Sequence, residues 1–427
     1  MLRTVTRVTL WPLSIPMKRP FRHAAAQRAF STPFILEIEL FGGAVGYGET
    51  HIRDYVTGER PDELVDTLRE VFLPRLMRFR ADGLPAAVEQ IAALPERDAL
   101  GRTATGLRAA VELALLDACG RAFGRPITDL AGWFGALPFR SAVGKRPSKS
   151  PLAAPPNVPT DTKHGDGARI LRSAPDSPLP RYSGVISAED TRTVRSAILK
   201  MRILGLRDFK LKVGDPDDDA RLRAAVDALG RSLRTGRNTL RLDANGAWDR
   251  GEALDRLKRW AGLPIACVEQ PLPRGAEDEW GALAQHTSIP LMADESLVTA
   301  QDAQRLFQLG AANAFNIRLA KNGGLLPSIQ LAIEARRRGI VYQLGCLVGE
   351  TSVLSAAGRL FLQMVPGVRF AEGCYGRFLI EGDVVRRPVQ IGWGGRVKLP
   401  RGPGLGVEVD RARLERYAVT SPIVIVL

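Results

Sequence analysis

The chain has 427 residues, 45% of them hydrophobic and 25% charged, a globular balance at a size that suits a barrel plus an appended domain. No run of about 18 apolar residues occurs, so no membrane-spanning helix is expected; four scattered cysteines without a CxxC pair and four scattered histidines argue against a disulfide framework, structural zinc or a histidine-rich metal centre. The net charge of +14 is spread along the chain and aromatics are only 6%, which argues against a nucleic-acid partner but allows long-range steering of anionic substrates.

The N-terminal "MLRTVTRVTLWPLSI" alternates polar and apolar residues and lacks the apolar core of a signal peptide, so it reads as the first strand of a cytoplasmic protein. "FILEIELFGGAVGYGE" reads as two strands joined at a Gly-Gly turn. "GLRAAVELALLDACGRAFG" has a broad apolar face and a terminal Gly, the pattern of a buried helix. Residues 1–138 therefore form one α+β unit. Residues 139–180 are dense in Pro, Ser, Lys and Asp with no sustained period, and read as a disordered or loosely ordered insertion.

From 181 to 377 apolar runs alternate with amphipathic helical stretches: "YSGVIS", "DFKLKV", "TLRLDAN", "IACVEQP", "IPLMADES", "AFNIRLAK" and "IVYQLGC". Such alternation means parallel βα units. Seven or eight of them give an α/β fold of the (β/α)8 TIM-barrel type, or (β/α)7β if one unit is imperfect. An open doubly wound sheet is the alternative, weakened by the absence of a G-x-G-x-x-G after the first strand. Residues 378–427 hold strand-like pieces that can return to the first domain.

The apolar strands end in charges: Lys210 and Lys212, then Asp243, Glu269 and Asp294, the last three 26 and 25 residues apart. One βα unit per acid brings three carboxylates to one barrel mouth. An all-oxygen set favours Mg2+, with Mn2+ as a close substitute. The alternative for each acid is a helix cap. Lys210 and Lys212 share one strand face. Their mutual repulsion, with Mg2+ nearby, would lower a lysine toward the range of a useful base.

The ordered set K-x-K, D-x-N, E-Q-P, D-E-S and a cation before G-G resembles the enolase superfamily, in particular its muconate-lactonising enzyme and dipeptide-epimerase branch. The resemblance spans nearly the whole chain outside the insertion. It implies an N-terminal capping domain, Mg2+ held by Asp243, Glu269 and Asp294, Lys212 as acid/base, and Lys210 tuning it or meeting the substrate carboxylate. It places Asn245 and Glu295 beside the substrate and Glu350 at a variable contact position. It also implies a small carboxylate substrate and homo-oligomers. First-domain loops would supply Tyr55, His23 or His51.

One position departs from the pattern. The sixth barrel strand of the lysine-using branch reads K-x-x-K-x-G-G; here "RLAKNGG" puts Arg318 opposite Lys212. Arginine holds its proton above a pKa of about 12, which disfavours a base on each face. The expected chemistry is one-base proton abstraction next to a carboxylate, leading to syn-dehydration or cycloisomerisation, with Arg318 as electrostatic partner. A racemase or epimerase and a non-catalytic metal and carboxylate binder are the alternatives.

Overall fold

The computed structural model describes residues 1–23, 26–132, 180–187 and 190–427; almost all of the expected insertion lies outside the described residues. Strands β1 (Val5–Pro12), β4 (Phe34–Leu40), β5 (Ala44–Thr50) and the C-terminal β13 (Ile423–Val426) form an antiparallel sheet in the order β13–β1–β4–β5, and β2 (Ile15–His23) pairs with β3 (Ala26–Ser31) as a separate ribbon. The chain's last strand thus closes on its first.

The helix Thr105–Ala122 lies across β4 and β5. Its residues 105–120 are all buried, more than one apolar face would give, because it is enclosed between this sheet and the barrel. Its charged members are paired: Arg108 Nη1 meets Glu112 Oε2 at 2.6 Å, and Asp117 accepts the Tyr47 amide at 3.0 Å. Close approach is possible because β5 carries glycine where the helix crosses. A Cβ at Gly48 would fall inside contact distance of the Ala110 carbonyl, and one at Gly46 would meet the Ala118 backbone.

Seven parallel strands follow: β6 (Gly184–Ile186), β7 (Asp208–Lys212), β8 (Thr239–Asp243), β9 (Cys267–Glu269), β10 (Leu291–Ala293), β11 (Ala314–Ile317) and β12 (Val341–Leu344), each paired to the next in chain order. The seven apolar runs picked out in the sequence are these strands. Ala371 bridges in parallel to both Leu344 and Tyr182, so a short eighth segment closes the ring. The fold is a curled, barrel-like parallel sheet with an N-terminal α+β domain, and the open-sheet alternative is excluded by that closure. Phe209 and Leu211 on β7 are fully buried, as are Leu240 and Leu242 on β8 and Phe315 on β11. Among the described residues no helix is long and apolar enough to cross a membrane.

Gly48→Ala tests the close contact between helix and sheet. Overpacking there is expected to cost about 1–3 kcal/mol, measured as a lower urea midpoint without a change in slope.

Candidate active site

Parallel register sets the site. Lys212 pairs with Asp243 and Asp243 with Glu269, so three neighbouring strands present these side chains in one row. Asp294 follows the end of β10. None of the three acids caps a helix. Asp249 accepts the Glu252 amide at 2.8 Å and Thr299 forms a capping box with Asp302, so the helices after β8 and β10 have their own caps. Asn245 and Gln270, just past two of these strand ends, have positive φ of 46° and 41°, a sparsely populated backbone for non-glycine residues. The Gln270 carboxamide ties β9 to β10, accepting the Asp294 and Ser296 amides at 3.0 and 3.2 Å.

Each buried acid meets a cation. Lys210 Nζ lies 3.0 Å from Asp243, 3.3 Å from Glu269 and 2.7 Å from Glu372. Lys212 Nζ donates to Asp243 Oδ2 at 2.6 Å and Asn245 Oδ1 at 2.7 Å, with its side chain 13% exposed. Arg318 ion-pairs with Asp294 and stands 3.5 Å from Glu269. Lys321 is fully buried and donates to Asp294 Oδ1 at 2.9 Å and to the Asp294 and Asn316 carbonyls. Arg318 therefore faces the site and Lys321 fixes Asp294 from beneath.

The charges are strongly coupled. Burial works against the Lys210 ammonium, but Glu269, Glu372 and Asp243 outweigh it and hold it well above the lysine range. This corrects the expectation that the paired lysines depress each other: at Lys210 three carboxylates dominate, so it is a permanent cation. Burial also opposes the Arg318 charge, and Asp294, Glu295 and Glu269 hold that guanidinium well above its usual value. Burial raises carboxyl groups, yet Lys212 and Lys210 keep Asp243 low, and Arg318 and Lys321 keep Asp294 low. Glu269 goes the other way, pushed up to about 8 by burial and by the Asp243 charge.

The Arg318–Lys321 turn is held from the other domain. Arg108 bonds the Gly323 carbonyl, and Glu112 accepts the Leu326 amide at 2.8 Å. Gly324 sits at φ 112°, and a Cβ there would lie 2.6 Å from the Glu112 carboxyl. The Gly-Gly of "KNGG" is thus needed both for backbone conformation and for docking.

A cavity of about 460 Å3 opens over the row. Lys210, Lys212, Asn245, Glu295, Arg318 and Tyr55 all line it. Asn245 Nδ2 donates to Glu295 Oε1 at 3.2 Å. Glu350 does not line it: with Tyr182 and Glu372 it borders a neighbouring void of about 10 Å3, accepts the Leu347 amide at 2.6 Å, and is pushed up to about 8 by burial. His51 is buried against Glu49 at 3.1 Å, and Glu49 in turn accepts the Thr351 and Leu354 amides, so His51 is held at the domain junction. The side chain of His23 lies outside the described residues. Cys346 also lines the cavity. The sequence reading missed Glu372, Arg241 and Asn316. Arg241 Nη1 meets Glu372 at 2.9 Å, and Asn316 Nδ2 donates to Glu269 at 2.7 Å. All three sit in or beside barrel strands, and alternation along β8 and β11 was the available signal. Arg53, also missed, comes from a first-domain loop and donates to the Val348 carbonyl at 2.5 Å.

The donor set suits a hard divalent cation. Asp243, Glu269 and Asp294 supply oxygen only, Glu269 is raised by burial and by its acidic neighbour, and the buried Glu295 Oε2 has no partner among the described residues. Among the described residues no three His, Cys, Asp or Glu side chains already form a cage, because Lys210 and Arg318 stand among the oxygens. An ion bound to all three acids would have to draw Glu269 and Asp294 away from Arg318.

Two family models match the chain: "Enolase C-terminal domain-like" over residues 193–413 and "Mandelate racemase / muconate lactonizing enzyme, N-terminal domain" over residues 5–132. An N-succinyl-L-Arg/Lys racemase of Bacillus cereus is 25% identical across 98% of this chain and 99% of its own. Muconate cycloisomerase 1 of Rhodococcus opacus is 28% identical across 93% and 94%. A dipeptide epimerase of Cytophaga hutchinsonii, solved with Mg and the dipeptide D-Ala-L-Val, superposes with a TM-score of 0.78 at 21% identity, covering 99% of this chain and 100% of that one.

If Arg318 competes with a divalent ion for Glu269 and Asp294, Arg318→Met binds Mn2+ more tightly than the unaltered chain. The expected gain is on the order of tenfold, the usual size of coupling between ligands sharing a site. Titration followed by the electron spin resonance of free Mn2+ measures it; unchanged or weaker binding would count against competition.

Proposed function

The chain belongs to the mandelate racemase/muconate lactonizing enzyme family of the enolase superfamily, and from that premise we propose that it removes a proton next to a carboxylate from one face only. The observation that carries this reading is the pair facing the cavity: Lys212 on one side and Arg318, held firmly protonated, on the other. Lys212 as the free amine takes the α-proton. The electron pair moves into the carboxyl group to give an enediolate, whose charge faces the Arg318 guanidinium. The same lysine, now an ammonium, hands its proton to a leaving group on the β-carbon; in a ring opening the enediolate expels its own β-oxygen as a carboxylate. In the reverse direction, ring closure by that carboxylate forms the enediolate, whose α-carbon the Lys212 ammonium protonates. Asn245 orients Lys212 through the 2.7 Å bond to its Nζ, and Lys210 supplies fixed positive charge beneath.

Asp243, Glu269 and Asp294 are the residues that would hold Mg2+ or Mn2+. The ion, when bound, supplies Lewis-acid stabilisation of carboxylate charge. Relatives named as racemases and epimerases keep two-face chemistry as the competing reading. The cation opposite Lys212 in this chain favours one-face chemistry instead.

A panel of carboxylic acids — acid sugars, N-acyl amino acids, dipeptides and muconate-like diacids — screened by proton NMR with Mg2+ tests the reading. Lys212→Ala is expected to lower turnover by at least about 10²-fold, the lower range for a general base, while Mn2+ binding persists. Turnover that survives the substitution contradicts the assignment.

A further inference from the structure

The cavity is larger and more apolar than a small diacid needs. Its volume of about 460 Å3 falls in the range of sites that enclose a ligand of drug size, about 300–1,000 Å3. Lys210, Lys212, Glu295 and Arg318 gather at one end, over the strand row, and Arg377 is a cation beside the other end. Away from that row the wall is built from Met201, Leu204, Leu206, Phe378, Ile391 and Trp393, with β6 alongside. Gly184 on β6 lies close beneath this wall: a Cβ there would stand 2.5 Å from the Met201 sulfur, so the thioether would have to shift to make room.

Two of the polar groups near this arm are engaged elsewhere, and Ser187 adds one hydroxyl at its edge. Ser183 Oγ accepts from Arg241 at 2.7 Å, and the Tyr375 hydroxyl donates to the Ser183 carbonyl at 2.8 Å. Leu204, Phe378 and Trp393 are 44%, 49% and 71% exposed, a cluster of large apolar side chains left open to water beside the cavity. Arg377, next to Phe378, is exposed and offers only solvent-screened charge. A second carboxylate placed in this arm would lose hydration without a buried partner.

We infer that the substrate is a monocarboxylate bearing a long apolar arm, acyl or aryl, that lies along β6 toward Leu206, Ile391 and Trp393. This rests on the reading above that the Lys212–Arg318 end takes a carboxylate. The arm itself stands on the separate observation of the apolar wall.

Binding of unreactive straight-chain acids tests it. Butyrate, hexanoate, octanoate and decanoate, each below its micellar concentration, are titrated into the full chain and its Lys212→Ala variant with Mg2+ present. Calorimetry and tryptophan fluorescence are read together. Affinity is expected to rise on the order of threefold to fourfold per added methylene, with a fluorescence change that Trp393→Phe removes. Ile391→Asp should abolish the gain for the long acids and leave butyrate unaffected. Equal affinity along the series, or hexanedioate binding as tightly as octanoate, overturns the inference. Octanamide separates the two readings. If it binds as tightly as octanoate while the chain-length gain persists, the arm stands and the carboxylate end is wrong. If octanamide binds more weakly but chain length has no effect, the carboxylate end stands and the arm is wrong.

Discussion

Buried carboxylates can share one end of a barrel only where cations share it with them. Asp243, Glu269, Asp294, Glu295 and Glu372 are all buried here, and Lys210, Lys212, Arg241, Arg318 and Lys321 stand among them. Leaving one such charge uncompensated costs several kcal/mol, so each side chain's position is tied to its neighbours'. The parallel register supplies the scaffold by aligning Lys212, Asp243 and Glu269. Everything proposed about chemistry follows from which of these charges are locked and which face the cavity. Lys321 is locked beneath Asp294, Lys210 lines the cavity but is pinned by three carboxylates, and Lys212 and Arg318 face it.

The two domains are joined at the points where this cluster needs support. Arg108 and Glu112, from the first domain's buried helix, hold the turn that carries Arg318 and Lys321. Glu49, from β5, accepts the amides at the start of the helix Ser352–Met364. A loop poised over a site would be free to move if its ends were solvated; this turn is instead fixed by buried, charge-assisted hydrogen bonds. The same logic explains why glycines recur at the contacts. Gly48 and Gly324 each sit where another element's backbone or carboxyl leaves no room for a Cβ.

Much of this was legible in the chain. Seven apolar runs gave seven strands because parallel strands buried on both faces read as continuous hydrophobic stretches. Acids spaced one βα unit apart had to meet at one mouth, and "RLAKNGG" showed an arginine where the resemblance led one to look for lysine. Other features were hidden for physical reasons. The segment that closes the barrel at Ala371 is too short to carry a period, so Glu372 went unnoticed beside "GCYG". Nothing local in "RLAKNGG" shows that the turn folds the Lys321 side chain under Asp294. The direction in which Lys210 is driven depends on Glu269 and on Glu372, 162 residues away, and no local pattern reports that. Glu350, expected beside the substrate, instead borders its own small void.

One-face proton abstraction is the central claim, and the stereochemistry of hydrogen exchange reaches it most directly. A single enantiomer of an α-chiral carboxylate ligand would be incubated in D2O with the enzyme and Mg2+, and followed by proton NMR alongside chiral chromatography. Exchange of the α-hydrogen with full retention of configuration, lost in Lys212→Ala, is the predicted result. Deuterium appearing in both enantiomers would contradict it, because a second group would then be delivering protons to the face that Arg318 guards.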